Sequence, residues 1–354
     1  YLDYEGYDES HFAKLAATDS NVELNIYDFD SSRVIEDLRT IAYHMDYPVA
    51  GPGSLPQFQI AREAAKKVKV ILGGQGGDEI FGGYARYLIG YLEQCLRAAI
   101  EGTQKNGNFI VSLESMIPNL GLLREYKPLL QKFWTDGLFG EMDSRYFQLV
   151  NKVSDLGNSV KWEAVNIDKT RESFLGVFNS NRSISKEAYF DSMTHYDFKT
   201  LLPALLQVED RVSMAHGLES RVPFLDHKIV EFAATIPANI KFKNGELKRL
   251  IKRTFSKSLP EGITARRDKM GFPVPLSEWS QGPLRNEMTG LLESLRDRQL
   301  YFLNGETISH QLGKTGRFSR GTWALMNLEL WLQQFQDQEK KFAAMPGGYL
   351  AGKR

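Results

Sequence analysis

Residues 71–87 read ILGGQGGDEIFGGYARY and join an apolar run to a glycine-dense turn that carries the adjacent carboxylates Asp78 and Glu79. In an open α/β sheet, ligands bind beyond the carboxyl ends of the strands. Glycines at such a strand end permit positive φ angles and a close approach of the backbone to a ligand. A nearby carboxylate can hold the cation that accompanies a phosphate. The stretch therefore predicts a turn that binds a nucleotide and a metal ion.

Other interpretations of this turn have to be weighed. A glycine-rich strand-to-helix turn with two solvated acids is common and needs no ligand. The Rossmann pattern requires its third glycine where Glu79 stands, and no G-x-x-x-x-G-K-[ST] sequence occurs in the chain. Residues 76–80, GGDEI, resemble the GGDEF signature of diguanylate cyclases, but Ile80 replaces its phenylalanine and the following Gly-Gly-Tyr of residues 82–84 does not belong to it.

Composition narrows the class of protein. The 354 residues are 42% hydrophobic and 25% charged, as in ordinary globular proteins, and are enough for one large or two ordinary domains. Lys plus Arg equals Asp plus Glu at 44 each, so no overall charge favours nucleic acid or an acidic membrane. No apolar run reaches the roughly 20 residues that span a bilayer, and no signal peptide is visible, so the cytoplasm is the expected location. The single cysteine, Cys95, excludes an intramolecular disulfide.

The order of the elements predicts the fold. Residues 21–30 alternate in hydrophobicity as a strand does, and residues 32–45 have the spacing of an amphipathic helix capped by Ser31. A second helix over 57–67 leads into a strand over 68–72. Strand, helix, helix and strand predict an α/β fold with a parallel sheet flanked by helices and a largely helical C-terminal half. Further helices are predicted over residues 84–100, 126–134, 144–153, 164–178, 246–256 and 323–338.

We expect one catalytic domain over residues 1–342. Within it, residues 1–100 form the α/β sheet part, 101–190 a helical insertion and 191–342 a helical part that closes the site. Residues 343–354, with Pro-Gly-Gly, are predicted to be a flexible tail.

Two later blocks carry clustered charges. Acids and arginines alternate over residues 197–231, which is consistent with a structural ion-pair network or with a ligand pocket. His216 and His227 lack partners at metal-ligand spacing, so zinc is not expected. Over residues 244–279, lysines and arginines precede a breaker loop. They are either a solvated face or the kind of cations that clamp phosphoryl groups from a loop.

Taken in order, these blocks resemble the synthetase domain of glutamine-dependent asparagine synthetases. Residues 72–84 follow the family pattern L-S-G-[DE]-G-x-D-E-x-F-G-G-Y, and residues 210–226 follow D-R-x-S-M-A-x-x-x-E-x-R-V-P-F-L-D. The family elements G-x-x-K and R-x-K-x-G-F are matched at residues 245–248 and 267–272. The resemblance covers nearly the whole chain and is weakest over residues 100–190.

The resemblance implies an N-type ATP pyrophosphatase fold that uses ATP and Mg²⁺. It implies adenylation of a substrate carboxylate, followed by displacement of AMP by ammonia, which a glutaminase domain derives from glutamine. The roles it implies are a magnesium ligand at Asp78, ATP or pyrophosphate binding by Gly73, Gly74, Gly76, Arg267 and Lys269, catalysis by Lys248 and Gln75, and a substrate pocket shaped by Tyr84, Glu219 and Arg221.

The chain departs from the family pattern at several points. The pyrophosphate loop S-G-G-x-D-S and an N-terminal cysteine glutaminase domain do not occur in these residues and are expected upstream of Tyr1, so the fragment alone is expected to be inactive. Gln75 replaces the usual Asp or Glu, and an amide cannot accept a proton as a carboxylate does. Gly73 replaces the usual serine.

The sequence alone is compatible with three functions. The leading one is an amide ligase that forms asparagine from aspartate. The second is an amidotransferase of the same family that acts on a sugar carboxylate or a β-lactam precursor, which the Gln75 substitution keeps open. The third is a non-catalytic nucleotide-binding remnant that acts through protein contacts. A homodimer is one candidate assembly.

Overall fold

The structure, a computed structural model, describes residues 7–48, 51–102, 123–124, 126–181, 183–184, 188–241, 243–266, 274–312 and 320–344. These residues are mostly helical, with a small parallel sheet. In the first half of the chain the elements are α1 (Ser10–Asp19), α2 (Val34–Met45), α3 (Ser54–Ala64), β1 (Val70–Leu72), α4 (Gly77–Phe81), α5 (Ala85–Glu101), α6 (Lys127–Phe133), α7 (Met142–Val150), α8 (Val153–Leu156) and α9 (Ile167–Phe178).

The second half of the chain contains further helices and a second strand. Its elements are α10 (Tyr189–Lys199), α11 (Leu201–Met214), β2 (Glu219–Arg221), α12 (His227–Thr235), α13 (Ala238–Lys241), α14 (Arg249–Thr254), α15 (Glu261–Thr264), α16 (Leu276–Gln281), α17 (Arg285–Asp297), α18 (Gly305–Ile308), α19 (Gly321–Trp331) and α20 (Glu339–Ala343). Short 3₁₀ turns cover Ser31–Arg33, Gly157–Ser159, Trp162–Ala164, Pro223–Leu225 and Lys243–Gly245, and a π-helical turn covers Leu332–Gln336.

Strands β1 and β2 pair in parallel, although a long, largely helical stretch of chain separates them. Val70 lies opposite Glu219 and Leu72 lies opposite Arg221. The Gly73 N–H extends the ladder by donating to the Arg221 carbonyl at 2.7 Å. A parallel sheet was predicted, but with a strand over residues 21–30 beside β1, whereas the observed partner is the unpredicted β2. This pairing brings residues near position 220 to the turn that follows β1.

The predicted strand over residues 21–30 is wrong for the described chain. Residues 22–30 belong to no strand or helix there, and Val22 and Ile26 are 60% and 46% exposed. Alternating hydrophobicity satisfies only the side chains of a strand, whereas its backbone also needs a hydrogen-bonding neighbour. The predicted cap is also displaced by one residue, because the Asp30 carboxylate, rather than Ser31, accepts the Ser32 N–H at 3.0 Å.

Most predicted helices are present, and the shifts at their ends have local causes. The helix expected from residue 57 begins at Ser54, because proline is tolerated in a first helical turn and Pro56 therefore does not break it. The helix expected from residue 246 begins only at Arg249, because Lys248 has the left-handed φ of 53°. The long C-terminal helix ends at Trp331, where the π-helical turn begins.

Two large hydrophobic cores hold the helices together, and a small third core lies under the turn after β1. The first core joins α2 and α3 to α16, α17 and α19, with the ring of Phe29 stacked on Trp279. The second core lies among α5, α6, α7, α9 and α10. In the third core, Ile80 and Phe81 of α4 pack with Ala233 of α12. No helix within the described ranges is long and apolar enough to cross a membrane.

Candidate active site

The turn after β1 is shaped by glycine. Gly76 precedes α4 with a φ of 87°, and its carbonyl accepts the Ile80 N–H at 2.9 Å. A Cβ at residue 76 would lie 2.3 Å from Leu225 Cδ2, so a larger residue would displace the turn after β2. By contrast, Gly74 is exposed, and a Cβ there would meet no atom within 4 Å. The turn therefore packs closely against Leu225 at Gly76, whereas its backbone at Gly74 is exposed.

Asp78 and Lys248 meet beside this turn. Lys248 Nζ lies 3.0 Å from Asp78 Oδ1, with the two side chains 36% and 21% exposed. The Lys248 N–H donates to the Gly82 carbonyl at 3.2 Å, which fixes the left-handed residue that precedes α14. A Cβ at Gly83 would lie 1.7 Å from Asp78 Oδ1 and 2.6 Å from Lys248 Cε. Glycine at residue 83 is thus a condition for the pair to form in this geometry.

The neighbouring acid, Glu79, points into the protein. It is 2% exposed, and its carboxylate accepts the hydroxyl of Tyr84. Burial raises the pKa of Glu79 above its ordinary value. The pKa of Tyr84 is also raised, first by burial and then by the neighbouring Glu79 charge. The Arg86 guanidinium lies over the Tyr84 ring, 3.8 Å from its centroid. Tyr84 is therefore held by protein groups on two sides.

Glu219 and Arg221 lie on β2, next to the turn that follows β1. Arg221 Nε donates to Glu219 Oε1 at 2.8 Å, and both side chains are more than half exposed. In the parallel register, Arg221 stands opposite Leu72, one residue before the glycine turn. The structure thus places the two predicted pocket residues near the turn, paired with each other.

Glu209 of α11 also reaches the turn, and the sequence interpretation assigned it no role there. The Ser220 hydroxyl donates to Glu209 Oε1. A Cβ at Gly73 would lie 2.2 Å from that same oxygen. Gly73 stands where the family pattern has serine, and its lack of a side chain leaves this space to Glu209.

The predicted ion-pair network among the acids and arginines of residues 197–231 forms only in part. Arg211 turns away from this block and pairs with Asp46 at 2.9 Å. Glu219 and Arg221 pair within the block, whereas Glu209 has no cationic partner in the described chain.

Arg267 and Lys269 lie outside the described residues. Arg266, which precedes them, pairs with Glu9, and its guanidinium lies 4.1 Å from the centroid of the Phe12 ring. The Arg266 carbonyl accepts a hydrogen bond from Lys252 Nζ of α14. Arg266 therefore lies next to α14, the helix that follows Lys248.

Within the described ranges, no group of three or more His, Cys, Asp or Glu side chains is arranged to hold a metal ion. Magnesium in nucleotide sites is commonly held by one or two carboxylates together with substrate phosphates and water. A single carboxylate such as Asp78, beside an open backbone turn, fits that mode of binding and does not fit an all-protein metal cage.

The sequence profile of the asparagine synthase family matches residues 1–333 of the chain. The chain is 29% identical over 299 residues to asparagine synthetase [glutamine-hydrolyzing] 1 of Bacillus subtilis (strain 168), an alignment that covers 81% of this chain and 43% of the relative. It is 28% identical over 319 residues to a putative asparagine synthetase [glutamine-hydrolyzing] of Mycobacterium tuberculosis H37Rv, with 83% and 44% covered. A protein of Gibberella zeae named amidase chry2 is 24% identical over 318 residues, with 84% and 46% covered. The chain thus spans less than half the length of these relatives.

Proposed function

This chain belongs to the asparagine synthase family, and from that premise we propose that it forms the synthetase part of an ATP-dependent amide ligase. Its reaction joins a carboxylate to ammonia and releases AMP and pyrophosphate. The observation that carries the proposal is the Asp78–Lys248 pair, 3.0 Å apart, at the mouth of an open glycine turn. A cation and a metal-binding carboxylate at a strand end are what adenylation of an acid by ATP requires.

ATP is a substrate of the proposed reaction, and its phosphates bind at the turn of Gly73, Gly74 and Gly76. The exposed backbone at Gly74 supports this placement, because nothing in the described chain blocks a close approach there. The small parallel sheet, with the turn at the end of β1, is consistent with an N-type ATP pyrophosphatase fold. Asp78 would hold the magnesium ion, which offsets negative charge on the phosphates when it is bound.

Lys248 counters the charge that grows on the α-phosphate and on departing pyrophosphate. A carboxylate attacks a phosphoryl group that is already anionic, so the repulsion between them has to be cancelled at that point. The ion pair with Asp78 holds the Lys248 ammonium beside the turn, and the hydrogen bond to Gly82 fixes the Lys248 backbone. In this proposal Arg267 and Lys269 close over the pyrophosphate.

The proposed acceptor is the β-carboxylate of aspartate, and the nucleophile is ammonia that a glutaminase domain releases from glutamine. The names of the bacterial relatives support this choice. Gln75 supports a second candidate, an amidotransferase for a different carboxylate, because the side chain expected to face the activated acyl group differs from that of the family pattern.

Substitution Lys248→Ala tests the proposal in the full natural polypeptide. We expect ATP binding by calorimetry to be retained, while exchange of pyrophosphate into ATP in the presence of aspartate falls about 100- to 1,000-fold, or ~2.7–4 kcal/mol in transition-state stabilisation. The matched control is Lys257→Ala, which removes an exposed lysine that follows the same helix and should leave exchange unchanged. Near wild-type exchange by Lys248→Ala would contradict the assignment.

The same assay identifies the acceptor. Exchange that depends on aspartate would favour asparagine synthesis. Exchange that needs another carboxylate, such as a sugar acid, would favour the second candidate. Binding of ATP without exchange for any carboxylate would point to a non-catalytic nucleotide-binding protein.

A further inference from the structure

A carboxylate from another element lies against the glycine turn, which departs from the family pattern at residues 73 and 75. Gln75 takes away the carboxylate of the family pattern, and Gly73 takes away a serine side chain. The Glu209 carboxylate, carried by α11, lies against Gly73 in the space that a side chain at residue 73 would need. The turn thus lacks a carboxylate at residue 75 and is contacted by a carboxylate from α11 at residue 73.

The fit between Gly73 and Glu209 is steric. A Cβ on residue 73 would lie 2.2 Å from Oε1, 3.2 Å from Cδ and 3.4 Å from Oε2 of Glu209. Carbon and oxygen atoms that are not bonded cannot approach to 2.2 Å, so this Glu209 position and a serine at residue 73 exclude each other. Two residues of extended chain span at most about 7 Å, so Gln75 follows on the same turn as the Gly73 that the Glu209 carboxylate contacts.

The other carboxylates of the turn already have partners. Asp78 pairs with Lys248, and Glu219 pairs with Arg221. Glu79 is buried and accepts the Tyr84 hydroxyl. In the described part of the chain Glu209 accepts one hydrogen bond, from the Ser220 hydroxyl, and forms no ion pair. It is half-buried, and its two carboxylate oxygens lie 2.2 and 3.4 Å from where a Cβ of residue 73 would stand.

We propose that Glu209 accepts the proton from the attacking amine in the second half of the reaction, in place of the carboxylate that Gln75 lacks. This inference rests on the proposed function. The ammonia nitrogen uses its lone pair to form the C–N bond to the activated acyl carbon. The bond from that carbon to the AMP phosphate oxygen breaks, and its electron pair leaves with AMP. One proton passes from the nitrogen to Glu209, which then releases it to water.

Ser220 has a positioning part in this scheme. Its hydroxyl holds one carboxylate oxygen of Glu209 toward the sheet edge, and Ser220 is itself fixed opposite Ile71 in the parallel register. The proton acceptor is therefore tied to β2, and its orientation does not depend on the glycine turn alone.

The test separates the two halves of the reaction in the full natural polypeptide. Glu209→Gln should leave aspartate-dependent exchange of pyrophosphate into ATP within about twofold of wild type, because adenylation removes no proton from an amine. Amide formation from ammonia should fall about 100- to 10,000-fold, the range of general-base contributions. Glu287→Gln, which removes an exposed carboxylate from α17, is the matched control and should change neither rate.

A charge swap makes the test specific. In the Glu209→Gln background, Gln75→Glu should restore amide formation by at least tenfold, because it returns a carboxylate to the position found in the family pattern. A purely structural role for Glu209 predicts equal loss of exchange and amide formation with no rescue by the swap, and that result would overturn the proposal. Unchanged amide formation in Glu209→Gln would also overturn it. Absence of exchange in the wild-type polypeptide would instead refute the proposed function. The Glu209 role fails separately, when the wild-type polypeptide shows exchange but Glu209→Gln gives one of the two results above.

Discussion

Lys248 shows how strongly one residue of this site is constrained. A lysine with a φ of 53° lies in a region of backbone conformation that residues other than glycine rarely adopt. Such backbone strain is maintained when surrounding contacts determine the conformation, and it concentrates at functional sites. Here the hydrogen bond to Gly82 and the ion pair with Asp78 supply those contacts. The strain is therefore consistent with a lysine whose position matters more than the stability of α14.

Glu79 gives a prediction about pH. Burial raises its pKa above the ordinary value of 4.5, so between 4.5 and the raised value the folded protein keeps a proton that the unfolded chain releases. The free energy of unfolding contributed by this group is therefore highest below pH 4.5 and falls as the pH rises through the folded pKa. Glu79→Gln cannot ionise, and its amide oxygen can still accept the Tyr84 hydroxyl. We expect the variant to become more stable relative to wild type as the pH rises from 4.5 to 8.

Urea denaturation at a series of pH values measures this difference. Glu293→Gln, which replaces an exposed glutamate on α17, is the control. If the difference between Glu79→Gln and wild type changed with pH no more than that of the control, Glu79 would not titrate abnormally in the folded protein.

Among the elements, α10 is joined to α5 and α7 by a buried polar cluster. Asp197 of α10 is 1% exposed and accepts hydrogen bonds from the Arg86 guanidinium and from the Tyr87 and Tyr146 hydroxyls, the last at 2.7 Å. Asp197→Ala would leave the Arg86 charge without its carboxylate, so we expect a loss of about 3–5 kcal/mol in the free energy of unfolding.

Chemical denaturation provides the measurement, and α5 provides the control. Glu101→Ala breaks an exposed pair with Arg97 and should cost less than ~1 kcal/mol. Equal losses from Asp197→Ala and Glu101→Ala would show that the buried cluster does not hold these helices together.

The elements also show what sequence could and could not predict. Hydrophobic spacing located α2 and α5 to within two residues, because each buries one face of its own. It failed at residues 21–30, where pairing rather than periodicity decides whether a strand forms. Asp78 and Lys248, which the structure brings together, are 170 positions apart, and only family motifs marked them as one site. The approach of Glu209 to Gly73 could not be predicted, because it depends on how α11 packs against β2.

At the scale of the whole molecule, the first and second cores are built from different parts of the chain. The first core unites the N-terminal helix α2 with the C-terminal helix α19, and Leu330 in it is 1% exposed. The second core is built largely from helices between residues 85 and 199, and Leu149 in it is 3% exposed. Because their buried members do not overlap, the two cores should open as separate cooperative units.

Leu330→Ala and Leu149→Ala form a matched pair for testing this separation, because each removes the same buried side chain and should cost about 2–5 kcal/mol. Amide hydrogen exchange should quicken in α2 as well as α19 for Leu330→Ala, although nearly the whole chain lies between them, and should stay closer to wild type in α7. Leu149→Ala should give the reverse pattern, with faster exchange in α5 and α7 and retained protection in α2. Uniform loss of protection across all helices in both variants would show that the two cores unfold as one, in which case the glycine turn and the Asp78–Lys248 pair would share their stability with every part of the chain.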